Sequence, residues 1–370
     1  MVKLLHCADI HLDTPFRSKS AERSASLRRQ LRRTFNAMVE YARKENINIV
    51  LLAGDVFDTG TVTSDTVNFV KEAFASAPEC TFVISPGNHD PYTKDSVWAD
   101  SDLGKNVFVF DSSEMRFFDF PEQNVRVYGY AFTLDTLEMC PAVNFTPEDS
   151  GRTNILCAHA YINEPLSPHS PISEKDIENT GFDYCAFGHI HTGNEVKYAG
   201  NVPFAYSGCL MGRDFGETGE KGGIVIEIND GKTVFSKKCF TEYKYEKMPV
   251  DLNGISGSSD VRARISSAVT AHSDKTSLRL ELVGQIPIDQ TIDVIGLAEE
   301  YGNGLFYLEI EDLTVPLLST EQLENDPTIT GEFFREMKPL LESGTPEERK
   351  LAAKALRAGM AALRGEEIPL

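Results

Sequence analysis

Five short apolar runs in this sequence each end abruptly in a histidine or a carboxylate or amide side chain. Val2 to Ala8 is followed by Asp9-Ile10-His11, and Ile47 to Ala53 by Gly54-Asp55 with Asp58 close behind. Cys80 to Ser85 leads into Pro86-Gly87-Asn88-His89-Asp90. Asn154 to Ala158 stops at His159, and Tyr184 to Phe187 at Gly188-His189-Ile190-His191. Runs rich in β-branched and apolar residues, bounded by glycine and polar residues, read as buried strands. The C-terminal end of a buried strand is where α/β sheets place ligand chemistry. One such end says little, because Asp-x-His is frequent by chance and a lone strand-end histidine is usually structural. Five in series restrict the chain to folds that bring several strand ends to one place.

The residue types at those ends are chemically uniform. Imidazoles and carboxylates without a thiolate suit manganese, iron or zinc, and do not suit a structural cysteine zinc site. The donors are too many for one tetrahedral ion. A carboxylate shared by two ions roughly 3.5–4 Å apart is the economical arrangement. The other histidines read differently. His6 lies within the first strand and is expected to pack. His169, in the loop PLSPHSPIS, is expected to be solvated. His272 falls on the apolar stripe of a helix and is expected to be half-buried. Tyr92 and Trp98 follow the Asn88-His89 motif, where packing outweighs stacking on a base. Arg213 and Lys221 are open between phosphate contact and ion pairing on a loop.

At 370 residues the chain exceeds one ordinary core, and 41% hydrophobic with 25% charged residues is the balance of a soluble globular protein. No apolar stretch approaches the ~18 residues of a membrane span. The N-terminal MVKLLHCADIH lacks a signal peptide's pattern, and seven cysteines without a CxxC pair are expected to stay reduced in a cytoplasmic protein. A net charge of −20 argues against nucleic-acid binding through the whole surface. One basic segment stands out, with Arg17, Lys19, Arg23, Arg28, Arg29, Arg32 and Arg33 against only Glu22. It is either a solvated face or a phosphate contact.

Strands alternate with helices up to about residue 200. Leu27, Leu31, Phe35, Met38 and Ala42 give the first helix, about two dozen residues long, a core face. Three later runs, Val202 to Ser207, Gly223 to Ile228 and Val234 to Phe240, read as antiparallel, with a turn at Asp230-Gly231. A smaller α+β region follows, with helices expected to be capped by Ser259 and Asp289. After a polar linker, two amphipathic helices are expected. The first runs from Ile329 to Glu342 and is disturbed at Pro339. Gly344 closes it, and Thr345-Pro346-Glu347-Glu348 starts the second.

The ordered motifs Asp9-x-His11, Gly54-Asp55-x-x-Asp58, Gly87-Asn88-His89-Asp90, His159 and Gly188-His189-x-His191 resemble those of the calcineurin-like metallophosphoesterases. Within that superfamily LLHCADIHLDTPF, DYCAFGHIH and RDFGETGEKGG are similar to the SbcD-type DNA repair nucleases, in particular their YhaO-like branch. The resemblance implies a four-layer α-β-β-α sandwich over residues 1–242, a capping domain over 243–316, and a linker with a C-terminal helical hairpin over 317–370. It implies two divalent ions, manganese first, with iron or zinc as alternatives. Asp9, His11, Asp55 and His191 would hold one ion. Asp55, Asn88, His159 and His189 would hold the other, with Asp55 bridging. His89 would protonate the leaving oxygen and Asp58 would orient it, while a metal-activated hydroxide attacks phosphorus. The implied function is DNA exo- or endonuclease action with an SMC-like ATPase of the SbcC type docked on the C-terminal helices, away from any membrane and with room for a homodimer. Two readings compete: hydrolysis of small phosphoesters or nucleotides, and a non-catalytic scaffold.

Overall fold

A computed structural model describes the chain except for residues 17–19, 59–61, 101, 149–150, 194, 230–231, 288–289, 318–322, 344 and 366–370. The chain divides into two compact units, Met1–Lys244 and Tyr245–Leu370.

The first unit holds two six-stranded sheets. The chain enters through β1 (Val2–Cys7), β2 (Ile49–Leu52), β3 (Thr81–Ile84) and β4 (Val107–Val109), each parallel to the next. It then builds a second sheet from β5 (Arg116–Phe120), β6 (Val125–Gly129), β7 (Thr153–His159), β10 (Tyr184–Gly188), β11 (Lys197–Ala199) and β12 (Val202–Tyr206). Two short strands, β8 (Tyr161–Ile162) and β9 (Pro171–Ile172), pair apart from it. β13 (Gly222–Asn229) and β14 (Lys232–Cys239) return to the first sheet, antiparallel beside β1. The sheet orders are β14-β13-β1-β2-β3-β4 and β11-β12-β10-β7-β6-β5.

Alternation along the strands decides which face each side chain takes. Ile49 and Leu51 of β2 join Leu4, Val83, Val127, Ile155 and Ala186 in a dry core between the sheets. The outer face of the first sheet is covered by α1 (Ala21–Lys44) and α2 (Ser64–Ala75). There the tilted rings of Phe35 and Phe74 lie 5.9 Å apart and Phe74 meets Phe82 of β3 at 4.3 Å. On the outer face of the second sheet, Ile177 of α4 (Glu174–Thr180) packs with Leu156, Cys185 and Phe187. A further short helix, α3 (Val97–Asp100), follows β3. These are the four layers expected.

The antiparallel reading of the late strands holds only in part. β13 and β14 are a hairpin, but β12 lies in the other sheet, antiparallel to β11 on one side and parallel to β10 on the other. Its two faces are both buried, so the sequence shows an unbroken apolar run that fits either sense. The Asp230-Gly231 turn lies outside the described residues.

The boundary falls at the first residue of β15 (Lys244–Asp251), and the second unit continues with α5 (Ser258–Thr270), β16 (Thr276–Val283), β17 (Gln285–Pro287), α6 (Val294–Tyr301), β18 (Tyr307–Asp312) and β19 (Val315–Leu317). Leu278, Leu280 and Leu282 carry its core against Val261 and Ile265. The caps differ from expectation. α5 starts after Gly257 with Ser259 already inside the helix, and α6 is capped by Asp293, whose Oδ1 accepts from Gly296 N at 2.9 Å. Asp289 lies outside the described residues. The last two helices, α7 (Ile329–Glu342) and α8 (Pro346–Arg364), pack on each other through Phe334, Leu356 and Met360. α7 runs through Pro339, which sits in its last turn and removes only one helical N–H. Gly344 lies outside the described residues, while the Thr345–Glu348 capping box forms as the sequence indicates.

Candidate metal centre

The five strand ends of the first unit converge. Asp9 and His11 leave β1, Asp55 and Asp58 leave β2, Asn88 and His89 leave β3, and His159, His189 and His191 come from the ends of β7 and β10. The backbone there is bent out of the sheet. Asp9, His11 and Asp55 take left-handed φ values of 50°, 52° and 54°, and His189 sits at 109°. Such angles are sparsely populated for non-glycine residues and persist only where the surroundings hold them. Here Asp55 O accepts from both Ile10 N (2.8 Å) and His11 N (2.9 Å), which locks the two loops together. The motif glycines allow close approach. A Cβ at Gly188 would run into the Ala53 carbonyl, and one at Gly54 into the His159 ring.

Two sets of donor atoms result. His159 Nδ1 donates to Ala53 O at 3.0 Å, which leaves Nε2 as the lone-pair nitrogen. That nitrogen faces Asn88 Oδ1 at 3.0 Å, His189 Nδ1 at 3.2 Å and Asp55 Oδ2 at 3.4 Å. On the other side His11 Nε2 and His191 Nε2 stand 3.2 Å apart, with Asp55 Oδ2 3.7 Å from the first and Asp9 Oδ1 3.9 Å from the second. Acceptor atoms crowded this closely in a buried site need a cation between them, so the donor set fits bound metal ions. Oδ2 of Asp55 borders both sets.

The electrostatics favour ligation by the imidazoles, while burial and the Asp55 charge push the Asp9 acid well above the ordinary carboxylate range. Burial pushes His189 down to about 3 and His11 to about 4, and it lowers His159, so these imidazoles are neutral with lone pairs available. Burial opposes ionisation of Asp55, but the neighbouring His159, His11 and His89 outweigh it and hold the acid below its ordinary range. Beside the ligand sets, His89 Nδ1 contacts Asp58 Oδ1 at 3.1 Å, and this hydrogen bond raises the His89 pKa. The His89 side chain is 37% exposed, so a substrate can reach it.

Three features escaped the sequence reading. Glu217 accepts from the Arg213 backbone N at 2.8 Å and lies 2.6 Å from His191 Nδ1. The Arg213 guanidinium bonds the same carboxylate, and Lys221 Nζ donates to His191 O at 3.2 Å. This loop therefore grips His191, and Arg213 and Lys221 form internal pairs. The block RDFGETGEKGG was the available signal. Asp90 is the second feature. Its Oδ1 accepts from Gly87 N (2.8 Å) and Asp55 N (3.2 Å), and its Oδ2 from Val56 N (2.7 Å) and Phe57 N (3.1 Å). Burial and the Asp55 charge push this acid up to about 8, against the pull of the backbone donors.

The third is a correction. His169 is not solvated but half-buried, its ring 5.0 Å from that of His189, because Tyr130 Oη and Leu137 O hold the neighbouring Ser170 in place. His6 packs as expected, tied across the sheets to Tyr184 Oη at 2.9 Å and Phe187 O at 3.1 Å. His272 is half-buried against Glu246, and Trp98 is 6% exposed, its Nε1 donating to Asp90 O.

A two-sheet sandwich with histidine and carboxylate donors at its strand ends defines a metal-dependent phosphoester hydrolase. The family model for calcineurin-like phosphoesterases matches residues 2–193, and the chain belongs to that family. It is 27% identical over 343 residues to the uncharacterized metallophosphoesterase YhaO of Bacillus subtilis (strain 168), an alignment covering 88% of this chain and 83% of that one. Among solved structures, a dimetal phosphatase from Danio rerio aligns with a TM-score of 0.43 at 12% identity, over 65% of this chain and 97% of its own.

Proposed function

We propose that this chain is a two-metal phosphodiester hydrolase acting on DNA in partnership with an SMC-like ATPase. The carrying observation is the His89–Asp58 pair at the edge of the donor sets. In this reading Asp9, His11, Asp55 and His191 hold one divalent ion, and Asp55, Asn88, His159 and His189 hold the other, manganese being preferred over iron or zinc. The bound ions supply an activated water and positive charge against the phosphate oxygens. The protein's own groups do the rest. Ala53 O and Glu217 orient His159 and His191, Asp90 pins the Gly87 and Val56 loops together, and Asp58 keeps the His89 Nδ1 edge occupied. The other edge of His89 can then give a proton to the departing oxygen, a contribution of typically ~10²–10⁴-fold.

DNA as the substrate is supported by the SbcD-like sequence blocks and by Arg29 and Arg33, which are exposed on α1. Other basic residues of that helix serve the fold. Arg32 bonds Asp65 and Thr66 at 2.6 Å each, and Arg28 donates to Pro15 O. Arg17 and Lys19 lie outside the described residues. The ATPase is supported by the apolar residues that α7 and α8 leave outside their own contact, Ile329 and Leu351 at 70% and Leu340 at 54% exposure. The test is manganese-loaded protein on an end-labelled oligonucleotide and on bis-p-nitrophenyl phosphate, with and without the ATPase. Turnover of the small diester without any cleavage of the oligonucleotide would transfer the function to small phosphoesters.

A further inference from the structure

The first sheet ends on β14, an eight-residue strand paired only with β13 among the described residues. Their antiparallel register runs without a bulge from Asn229 opposite Lys232 to Gly222 opposite Cys239. A Cβ at Gly222 would run into the Lys238 carbonyl, so that carbonyl points into the ladder. Backbone groups alternate in direction along an antiparallel strand. The N–H and C=O groups of Thr233, Phe235 and Lys237 therefore turn to the outer edge. Every residue of β14 except half-buried Phe235 is exposed. A row of outward N–H and C=O groups is a template for one more strand.

The two faces of this edge differ. Phe235 turns onto the core between the sheets, and on that side a cavity of 280 Å³ lies along Phe235, Ser236 and Lys237. Val196, Ile224 and exposed Glu195 complete its lining, so the floor is apolar. On the other face Lys238 Nζ stands 4.9 Å from the centre of the Tyr41 ring of α1. By alternation Lys232 shares that face. The strand carries three lysines and no acid, in a chain of net charge −20. Lysine alone often guards an edge against pairing, but here neither proline nor bulge blocks it. The adjoining cavity also gives a partner's side chain a place to bind.

We infer that the β14 edge docks an extended acidic segment of another protein as an added strand. Its apolar residues alternate toward the cavity and its carboxylates toward Lys232 and Lys238. The backbone row supplies affinity, and the two unlike faces supply the choice of sequence. A second copy of this chain is the poorer guest, because it would bring one lysine-bearing edge against another.

The test titrates the full-length protein calorimetrically with a capped synthetic peptide of alternating glutamate and valine. Binding should be one to one and saturate below about 1 mM. The same peptide N-methylated throughout keeps its charges but loses its backbone donors, and it should bind at least about tenfold more weakly. A lysine–valine peptide should be weaker by a similar factor of about ten. The Lys232→Glu/Lys238→Glu variant, changed only at exposed positions, should keep its metal content and reverse the preference between the two charged peptides. No saturable binding of the glutamate–valine peptide overturns the inference. So does equal binding of its N-methylated form, or an unchanged preference in the variant. A single-stranded oligonucleotide that displaces the peptide, and loses its own affinity in the same variant, would assign the lysines to nucleic acid and overturn the inference as well.

Discussion

Replacing Asp90 tests whether the site is held together by its backbone. This one carboxylate takes four backbone N–H groups, from Gly87, Asp55, Val56 and Phe57, and it is 8% exposed. Asp90→Ala strands four buried donors. With its pKa pushed up to about 8, the acid is largely neutral near pH 7, so the loss is counted as buried donors left unsatisfied, about 1–3 kcal/mol each, and the four are not additive. A net loss of about 3–5 kcal/mol follows. With a slope of roughly 2–3 kcal/mol per molar urea, the unfolding midpoint should fall by about 1–2 M. Asp90→Asn keeps one acceptor oxygen and turns an amide N–H₂ toward two N–H donors, so it should fall by about half as much. The assay is urea unfolding of the metal-stripped protein, which separates this effect from stabilisation by bound ions. Fluorescence of Trp98, the chain's single tryptophan, is the reporter, since its indole bonds the Asp90 carbonyl. Midpoints for Asp90→Ala within about 0.2 M of wild type would refute the bracing role. A neutral Asp90→Asn with a damaged Asp90→Ala would show that the acid works in its protonated form.

Three further outcomes are expected. Asp55→Ala should lose both ions together while Asp9→Ala chiefly weakens one, as metal content per chain after dialysis would show; two ions retained in Asp55→Ala would remove the bridging role. His89→Ala should keep its metals yet lose about 10²–10⁴-fold on diesters with poor leaving groups and far less on bis-p-nitrophenyl phosphate, whose leaving group needs less protonation. Equal losses on the two would exclude His89 as the donor. Glu217→Gln should weaken metal affinity by about 10–100-fold through a loosened His191, and calorimetric titration that finds an unchanged affinity would contradict that coupling.

Much of this was legible because strand ends announce themselves. The apolar runs stop where the sheet stops, and the donor residues follow immediately, so β1, β2, β3, β7 and β10 and their ligand candidates could be read in order. The Thr345–Glu348 capping box was equally plain, since both partners lie within one turn. What escaped was anything set by distant chain. Glu217 looks like a surface acid until the loop folds back on His191, 26 residues earlier. His169 looks solvated until Ser170 is drawn in by Tyr130, 40 residues away. The sheet that β12 joins was not legible because a strand buried on both faces has no pattern to show which neighbours it takes. Asp90 was visible in its motif, but its role depends on backbone N–H groups, which no side-chain pattern records.

The left-handed turns and the cross-sheet bonds bear on the order of assembly. Asp9 Oδ1 accepts from His189 N, a contact between residues 180 positions apart, and His159 reaches Ala53 over 106. One donor half emerges early in synthesis with the first sheet. The other exists only after the second sheet has formed and docked, and contacts this remote in sequence close late in folding. A nascent or half-folded chain thus presents only fragments of the donor sets, too sparse to hold an ion tightly. Metal uptake becomes a report that both sheets have met, and a chain stalled before that point stays inert toward phosphoesters.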